Sequence, residues 1–419
     1  MPLAKRFFKT TLLVVIVLAL GMSFNVGSAQ SEVVELTMWF GRENFIPTDR
    51  FAAFHEMYPN IRVTADVIPL EQSVADFLRA AQSGNEPDLL QVPADSIAPL
   101  AIQGALMDMT DLLAQWEAED PESYGNLAPA AFSMATWQGV PHGVALHVGP
   151  FWYTYRPDLF EEAGIAVPQT WDEVLEAGRQ LRTSDRIGFS IIGSRAHDPV
   201  WFLSIFMSMG GQWIDGVPQL DSDAGRYLLS FYQTLMRDNI ADPETLAWDS
   251  GAMRAAFIGG NAAQAMIGDN IYPTLNQSLQ YGTQWAGAPP PARPGAEAER
   301  RTMTLGWPYL VSATTAHPYE ASLVLRYLAT PEIVGEVAAR YQPTTVLPVL
   351  TSEAYLAAKP WAADFAEAFA ELVPLPGHPR QPQIYQVLLD AMQEALQNPD
   401  ADVAEMAARY QAEIDAIVQ

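Results

Sequence analysis

Residues 151–173 read FWYTYRPDLFEEAGIAVPQTWDE, and this stretch carries the local signals from which the fold can be argued. The aromatic run at 151–155 is typical of a buried strand. A short helix is predicted at 157–163, because a proline opens it and a glycine follows its last residue. Thr170 and Glu173 have the spacing of a capping box and predict the start of a second helix. Together these signals predict a strand followed by two helices, a unit typical of α/β proteins.

Strands and helices alternate on both sides of this unit. Strands are predicted from apolar, β-rich composition, and helices from one-sided apolar spacing with caps at their ends. The predicted strands lie at 33–40, 61–68, 88–92, 187–192, 262–267 and 303–310. The predicted helices lie at 48–58, 73–83, 95–103, 199–209, 223–237 and 254–258, and the chain from residue 318 onward is almost all helix. This alternation predicts an α/β fold with a mainly parallel sheet that helices cover on both faces.

The composition excludes several classes of partner and site. With 419 residues and 49% hydrophobic residues, the chain can bury a large core and form more than one domain. Lys and Arg number 23 against 49 Asp and Glu, a formal charge of −26. This balance argues against a nucleic-acid partner and against docking on an anionic membrane. The absence of cysteine excludes disulfides, thiolate nucleophiles, cysteine zinc sites and a lipid anchor on an N-terminal cysteine.

The N-terminal residues have the layout of a secretory signal peptide at 1–29. Three basic residues lie within the first nine, an apolar run covers 11–20, and small residues at 27–29 suit a signal peptidase. The run is shorter than the roughly 20 apolar residues of a membrane span. We expect a periplasmic or otherwise exported protein that is soluble after cleavage near Ala29. An uncleaved N-terminal anchor is the alternative.

Motifs for catalysis are absent from the sequence. No GxSxG, HExxH, P-loop or GxGxxG pattern occurs, so no catalytic group and no cofactor is expected. His142 and His147 are five residues apart, which in a strand puts them on opposite faces and disfavours a metal site. With 49 acidic residues, neighbouring carboxylates are unavoidable and are poor evidence for glycosidase chemistry.

Tryptophan is the residue type that points to a ligand. Of 11 tryptophans, Trp39, Trp201, Trp213 and Trp307 follow strands or adjoin Gly-rich turns. Ligands of open α/β sheets bind at the carboxyl ends of strands, and an indole face suits the C–H face of a sugar ring. The alternative for each of these tryptophans is packing in the core.

Several motifs together resemble one protein family. GVPHGV at 139–144, the segment at 151–165 and PQTWDE at 168–173 resemble the signature of the extracellular solute-binding proteins of ABC importers, in the family-1 type that includes maltose-binding protein. Further segments that agree in order lie at 86–90, 255–266, 316–332 and 385–418. Arg156 departs from the Asn or Asp that the family usually has after the tyrosine.

The resemblance implies a two-lobed periplasmic-binding-protein fold with a ligand cleft between the lobes. Each lobe would be a mainly parallel sheet flanked by helices, and three chain segments would form the hinge. After the signal peptide at 1–29, the implied first lobe is 30–148 plus 304–348 and the implied second lobe is 149–303 plus 349–419. The three crossings would lie near 148–151, 302–306 and 347–351.

The function that the resemblance implies is transport and not catalysis. The protein would capture a mono- or oligosaccharide in the cleft and deliver it to the membrane permease of an ABC importer, as a monomer and without a cofactor. Two alternatives within the binding class are a glycerophosphodiester and a polyamine as ligand. An exported glycan hydrolase is the alternative from another class.

The resemblance also implies ligand-binding positions in this sequence. Asp95 would accept sugar hydroxyl groups, or would cap the helix that follows. The remaining implied positions are Trp39, Gly41, Arg42, Glu43, Asn44, His197, Asp198, Trp201, Trp213, Asp269, Asn270, Tyr272, Trp307, Tyr341 and His378.

Overall fold

The computed structural model describes residues 33–69, 72–197, 199–369 and 372–419, so the predicted signal peptide and Asp198 lie outside the described residues. Its strands are β1 (Val34–Phe40), β2 (Ile61–Val67), β3 (Leu89–Gln91), β4 (Thr136–Trp137), β5 (Val140–Pro141), β6 (Gly143–Tyr155), β7 (Trp213–Ile214), β8 (Val217–Pro218), β9 (Gln264–Gly268), β10 (Ala286–Ala288), β11 (Thr302–Val311) and β12 (Leu372–Pro374).

The α-helices of the described residues surround these strands. They are α1 (Ala52–Met57), α2 (Ser73–Ser83), α3 (Ile97–Ile102), α4 (Thr110–Glu119), α5 (Pro121–Gly125), α6 (Pro129–Ser133), α7 (Pro157–Ala163), α8 (Trp171–Leu181), α9 (Val200–Ser208), α10 (Asp223–Arg237), α11 (Ser250–Ile258), α12 (Tyr272–Ser278), α13 (Pro318–Leu328), α14 (Pro331–Arg340), α15 (Leu347–Leu350), α16 (Glu353–Ala358), α17 (Ala366–Phe369), α18 (Gln381–Gln397) and α19 (Val403–Val418). Among the described residues, no helix is both long enough and apolar enough to cross a bilayer.

The long strand β6 joins two parts of the molecule. Its residues 143–150 pair with β11, which also pairs with β3, and β3 pairs with β1. Its residues 151–155 pair with β9, and 153–155 also pair with β10. We call the part built on β1, β2, β3 and residues 143–150 the first lobe. The part built on β9, β10 and residues 151–155 is the second lobe.

The main sheet is mixed and not mainly parallel. β1 runs parallel to β2 and β3, but β6 runs antiparallel to β9, β10 and β11. The predicted α/β class with flanking helices is confirmed, whereas the predicted strand direction is wrong. The physical reason is that β6 carries the chain from the first lobe into the second and β11 carries it back, so the two neighbours must run in opposite directions.

Each lobe buries its own apolar core. Large side chains from its strands and from the helices that cover them fill each core. Members of the first core are Leu36, Met38, Phe54, Val324 and Val337. Members of the second core are Trp171, Phe206, Leu228, Leu388 and Ile414. Because the cores are separate, the lobes can move relative to each other without repacking either one.

The local signals of the opening stretch are borne out. The Thr170 hydroxyl accepts a hydrogen bond from the Glu173 N–H at 3.4 Å, and the Glu173 carboxylate accepts one from the Thr170 N–H at 3.2 Å. Together they form the predicted capping box at the start of α8. Helix α7 ends at Gly164, which has the left-handed φ of 67° that glycine adopts without strain.

Two other expectations differ from the structure. Residues 187–192 are not a strand, since Ile187 and Ser190 make only isolated bridges, to Ala262 and Ala265 beside β9. The predicted third crossing at 347–351 is largely the short helix α15, whose Val349 packs in the first core. The next residues that pack in the second lobe come about ten positions later. The predicted lobe boundaries themselves stay a prediction.

Candidate functional site

A cavity of about 370 Å³ lies between the two lobes, where β6 and β11 pass from one to the other. This volume is near the lower end of the roughly 300–1,000 Å³ that small-molecule pockets occupy. The lining residues are Arg42, Pro93, Asp95, Trp307, Tyr341 and Gln342 on the first-lobe side, Phe151, His197, Val200, Trp201, Ser250, Arg254, Asn270, Ile271 and Tyr385 on the second-lobe side, and Gly149 and Leu305 between them.

Strand ends bring the polar lining residues to this place. Arg42 follows β1, and Asp95 follows β3, its parallel neighbour, so both come from the same edge of the sheet. Asn270 follows β9 in the second lobe. The cavity therefore lies outside the carboxyl ends of strands, the position that ligands take in open α/β sheets.

Two tryptophans provide flat apolar surface in the cavity. Trp201 on α9 packs edge-on against Phe151 at 5.0 Å, and its indole N–H donates a hydrogen bond to the Met266 carbonyl at 3.1 Å. Trp307 on β11 lies against Gly149, where a Cβ atom would come within 2.8 Å of the indole ring. Glycine at this position therefore lets the indole lie directly on the backbone of β6.

Three side chains that line the cavity contain buried polar atoms without a hydrogen-bond partner in the described chain. These atoms are His197 Nε2, Trp307 Nε1 and Gln342 Oε1. Gln342 is 2% exposed and Trp307 is 6% exposed, so solvent contact is small for both side chains. An unsatisfied buried polar atom destabilises a protein by roughly 1–3 kcal/mol. A ligand that carries hydroxyl groups can satisfy all three.

Charged groups of both signs line the cavity. The half-buried Asp95 carboxylate accepts a hydrogen bond at 3.0 Å from the hydroxyl of Tyr385 on α18, which belongs to the other lobe. The side chains of Arg42 and Arg254 make no ion pair or hydrogen bond with another described residue. Burial raises the pKa of the Tyr341 phenol, and the charge of Arg42 opposes this shift.

A fully buried ion pair lies directly behind the cavity. Lys359 Nζ contacts an Asp269 carboxylate oxygen at 3.0 Å, and neither side chain is more than 2% exposed. The same ammonium donates to the Tyr341 carbonyl at 2.8 Å. Burial lowers the pKa of Lys359, and the Asp269 carboxylate opposes this shift. Since Asn270 and Gln342 follow these partners in the chain, the pair holds two lining segments in place.

Seven of the residues implied by the resemblance line the cavity. They are Arg42, Asp95, His197, Trp201, Asn270, Trp307 and Tyr341. Asp95 lies one residue before Ser96, the cap position of α3, and Ser96 makes no side-chain cap bond. In the described ranges, no group of three or more histidine and acidic side chains is placed to hold a metal ion.

In the first lobe, four implied residues have contacts elsewhere. Trp39 packs edge-on against Phe77 of α2 at 6.4 Å. The Gly41 N–H donates to the Gln91 side chain at 3.0 Å. Glu43 forms an exposed ion pair with Arg50, and the Asn44 carbonyl accepts a hydrogen bond from Arg340 at 3.1 Å. These positions adjoin β1 as expected, but their side chains or backbones serve the lobe itself.

In the second lobe, the remaining implied residues are also held by local contacts. Trp213 packs on Phe206 at 5.2 Å, and Tyr272 is fully buried against Trp285 at 4.7 Å. Asp269 is the partner of Lys359. The His378 ring accepts a hydrogen bond from its neighbour's backbone, at 3.0 Å. A role of these residues in ligand binding stays a prediction.

Some lining residues carry no signal in the sequence. Arg254 and Tyr385 lie on helices far from any strand end, and Gln342 follows α14 in a polar stretch. Phe151 was recognisable only as part of a strand. The fold brings these residues together from segments more than 40 positions apart, and no local pattern records such a meeting.

Comparisons with known proteins agree with this geometry. The sequence model of the family described as "Bacterial extracellular solute-binding protein" matches residues 46–334. A probable amino-acid ABC transporter periplasmic-binding protein of Sinorhizobium fredii is 27% identical over 193 residues, 43% of this chain and 42% of the relative. A mannitol-binding protein of Pseudomonas aeruginosa is 24% identical over 354 residues, 78% and 76% of the two chains.

An arabinooligosaccharide-binding protein of Halalkalibacterium halodurans is 27% identical over 163 residues, 37% of this chain and 35% of the relative. The chain thus aligns with less than half the length of this relative and of the Sinorhizobium protein.

Solved structures of the same two-lobed architecture superpose on nearly the whole chain. The sugar-binding protein MalE of Xanthomonas citri has a TM-score of 0.79 at 19% identity and covers 92% of this chain and 97% of its own. A solute-binding protein of Thermotoga lettingae, bound to α-D-tagatose, has a TM-score of 0.75 at 20% identity with coverages of 92% and 100%. The two-lobed fold is therefore confirmed, and the chain belongs to the bacterial extracellular solute-binding protein family.

Proposed function

We propose that this protein binds a carbohydrate in the cavity between its lobes and delivers it to the permease of an ABC importer. The observation that carries the proposal is that indole surfaces and unsatisfied buried polar atoms line the same cavity. A sugar offers both matching features, since its C–H face is apolar and its hydroxyl groups donate and accept hydrogen bonds. Relatives named for arabinooligosaccharide and mannitol binding support this assignment.

Binding would be coupled to a movement of the lobes. A ligand in the cavity touches residues of both lobes, so it stabilises the closed arrangement and shifts the open–closed population towards it. We propose lobe boundaries near 148/149 and 303/304, as the sequence suggests. For the third passage we favour the region of Lys359, because Tyr355 packs in the first core and Trp361 packs with the aromatic cluster around Trp152 of β6.

The other ligand classes fit the cavity less well. A polyamine needs several carboxylates facing inward, and Asp95 is the one acidic side chain among the described lining residues. Glycoside hydrolysis needs a pair of carboxylates roughly 5–9.5 Å apart, which supports the proposal that the protein is not an enzyme. A glycerophosphodiester remains the second candidate, because Arg42 and Arg254 could pair with its phosphate.

The location and partners follow from the same proposal. The family is extracellular, and we propose export by the signal peptide at 1–29, cleavage near Ala29 and no lipid anchor. The mature protein would act as a monomer that meets the sugar outside the cytoplasm and the permease at the membrane. The charge of −26 speaks against a nucleic-acid partner.

A thermal-shift screen over neutral and acidic mono-, di- and trisaccharides and polyols tests the proposal. A ligand at about 100 times its Kd stabilises the native state by roughly 2.7 kcal/mol and raises the melting temperature. Two matched variants locate the site, because Trp201 and Trp213 are both partly buried and pack on a phenylalanine, but Trp201 alone of the two lines the cavity. Trp201→Ala should abolish the response, and Trp213→Ala should retain it.

No shift with any carbohydrate, or equal loss in both variants, would contradict the proposal. The hydrolase alternative is checked in the same experiment by chromatography of the oligosaccharides after incubation, where released reducing sugar would overturn the transport assignment.

A further inference from the structure

The guanidinium groups of Arg42 and Arg254 are unusual in this protein for having no anionic partner. The sequence has about twice as many acidic as basic residues, and most described arginines pair with a carboxylate. Examples are Arg179 with Asp238 at 2.6 Å, and Arg226 with Asp221 at 2.7 Å. Arg42 and Arg254 make no such contact with a described residue, and both line the cavity between the lobes.

The two guanidinium groups come from opposite walls of the cavity. Arg42 follows β1 in the first lobe, and Arg254 lies on α11 in the second. The acidic group that faces them among the described lining residues is the Asp95 carboxylate, which the Tyr385 hydroxyl already contacts. Two guanidinium groups against one carboxylate leave this cavity with one net positive charge, inside a protein that is strongly negative overall.

We infer that the ligand is a carbohydrate with one carboxylate group, such as a uronic or aldonic acid. The inference rests on the proposed function and specifies its ligand. A guanidinium group binds a carboxylate through two parallel hydrogen bonds, and the binding is strongest where water is excluded. The unpartnered polar atoms of His197, Trp307 and Gln342 remain for the hydroxyl groups of the same ligand.

Charge and size favour a small carboxylate over other anions. A phosphate monoester carries about 1.5–2 negative charges at neutral pH, more than the cavity balances while Asp95 is ionised. A volume of about 370 Å³ suits a small sugar rather than a long oligosaccharide.

The test is calorimetric titration of the mature protein with matched pairs of ligands. D-Glucuronate, D-galacturonate and D-gluconate are each compared with the neutral D-glucose, D-galactose and D-glucitol. At least one acid should bind roughly ten- to a hundredfold more tightly than its neutral counterpart, the effect expected of a charge-assisted hydrogen bond. Added salt should weaken the acid more than the neutral sugar.

Variants assign the preference to the cavity. Arg254→Met should lower the affinity for the acid by about tenfold or more and leave the affinity for the neutral sugar within about twofold. Arg300→Met is the matched control, because Arg300 also lacks an ion pair in the described chain but does not line the cavity. This control should change neither affinity. Equal weakening of acid and neutral sugar by Arg254→Met would assign Arg254 to packing and overturn the inference.

The ligand panel separates this inference from the proposed function. Neutral sugars that bind as tightly as their acids would overturn the inference and leave carbohydrate binding intact, and so would tighter binding of D-glucose 6-phosphate. Binding of L-glutamate without binding of any sugar acid would overturn carbohydrate binding itself. A panel in which no carbohydrate binds would end both proposals.

Discussion

Two contacts connect the lobes around the cavity, and they differ in how much water reaches them. The Lys359–Asp269 ion pair is fully buried behind the cavity, and Lys359 also holds the Tyr341 carbonyl. The Asp95–Tyr385 hydrogen bond is half-buried on the cavity wall. Water can replace the partner of a half-buried group when the contact opens, but it cannot reach a buried ion without unfolding its surroundings.

This difference assigns a separate role to each contact. The buried pair acts as the fixed point about which the lobes turn, since separating its charges inside the protein is expensive. The Asp95–Tyr385 contact can open and close at small cost, because water compensates both groups in the open form. The following experiments break or sharpen this comparison, in order of decreasing effect.

Removal of the buried ammonium should have the largest effect. Lys359→Met leaves the Asp269 carboxylate buried without its counter-charge, which should lower the free energy of unfolding by about 3–5 kcal/mol. Urea unfolding of the purified protein measures this. The double variant Lys359→Met with Asp269→Leu is the control, because an apolar pair leaves no unpaired charge and should recover most of the loss. A single variant as stable as the parent would show that the pair is not a fixed point.

Acid should destabilise the buried side of the cavity through His147 on β6. Burial lowers the pKa of this imidazole to about 3, although hydrogen bonds to the backbone at Gln342 and Pro343 oppose the shift. Since the unfolded state binds a proton near the ordinary pKa of 6.5, this stabilisation is complete above that pH and is lost as the pH falls towards 3. Between about pH 6.5 and 5 the free energy of unfolding should fall by about 2 kcal/mol.

The contribution of His147 is measured as the slope of stability against pH in denaturant melts. His147→Gln removes the titrating group and should flatten the slope over this range. A variant with the slope of the parent would assign the pH dependence to other groups.

Loss of the Asp95 carboxylate should act on ligand binding more than on folding. Asp95→Ala should weaken the affinity for the ligand by roughly ten- to a hundredfold, because a charged acceptor of hydroxyl hydrogen bonds is lost. The stability should fall by less than about 2 kcal/mol, because the contact with Tyr385 is half-buried. Calorimetric titration and denaturant melts separate the two effects. Glu43→Ala, at an implied position outside the cavity, is the control and should bind like the parent.

Removal of a single hydroxyl should give the smallest effect. Tyr385→Phe keeps the ring but removes the hydrogen bond to Asp95, so the closed form loses about 0.5–1.5 kcal/mol relative to the open form. Ligand affinity should fall by roughly two- to tenfold, with stability nearly unchanged. Small-angle scattering of the ligand-free variant should give a larger radius of gyration than the parent. Identical scattering and affinity would show that this contact does not influence closure.

Local chemistry explains how much of the fold was predictable. The capping box of Thr170 and Glu173, the bounds of α7 and the bounds of α10 follow from residues within a few positions of each other. The strand predicted at 187–192 failed because a β-rich composition does not determine whether a neighbouring strand is available for a regular ladder. The strand direction depended on the path between the lobes, which is a long-range property.

The candidate site shows the same division. Trp39 and Trp201 were predicted on similar grounds, yet Trp39 packs on Phe77 of α2 while Trp201 lines the cavity. Which wall an indole faces depends on the helix packed beside it, and that helix is distant in sequence. Arg254 and Tyr385 reach the cavity from helix faces, where an exposed arginine or tyrosine looks the same as one that faces a ligand.

The sharing of β6 between two sheets has a consequence for attempts to divide the protein. A fragment containing either lobe alone would carry half of β6 and half of β11, with backbone N–H and C=O groups left open along each cut strand. Such open edges pair with the edges of other chains and promote aggregation. Neither half is therefore a self-contained module that could be transplanted or expressed by itself, although each has its own core. The two lobes are separate as moving bodies but form one unit of assembly.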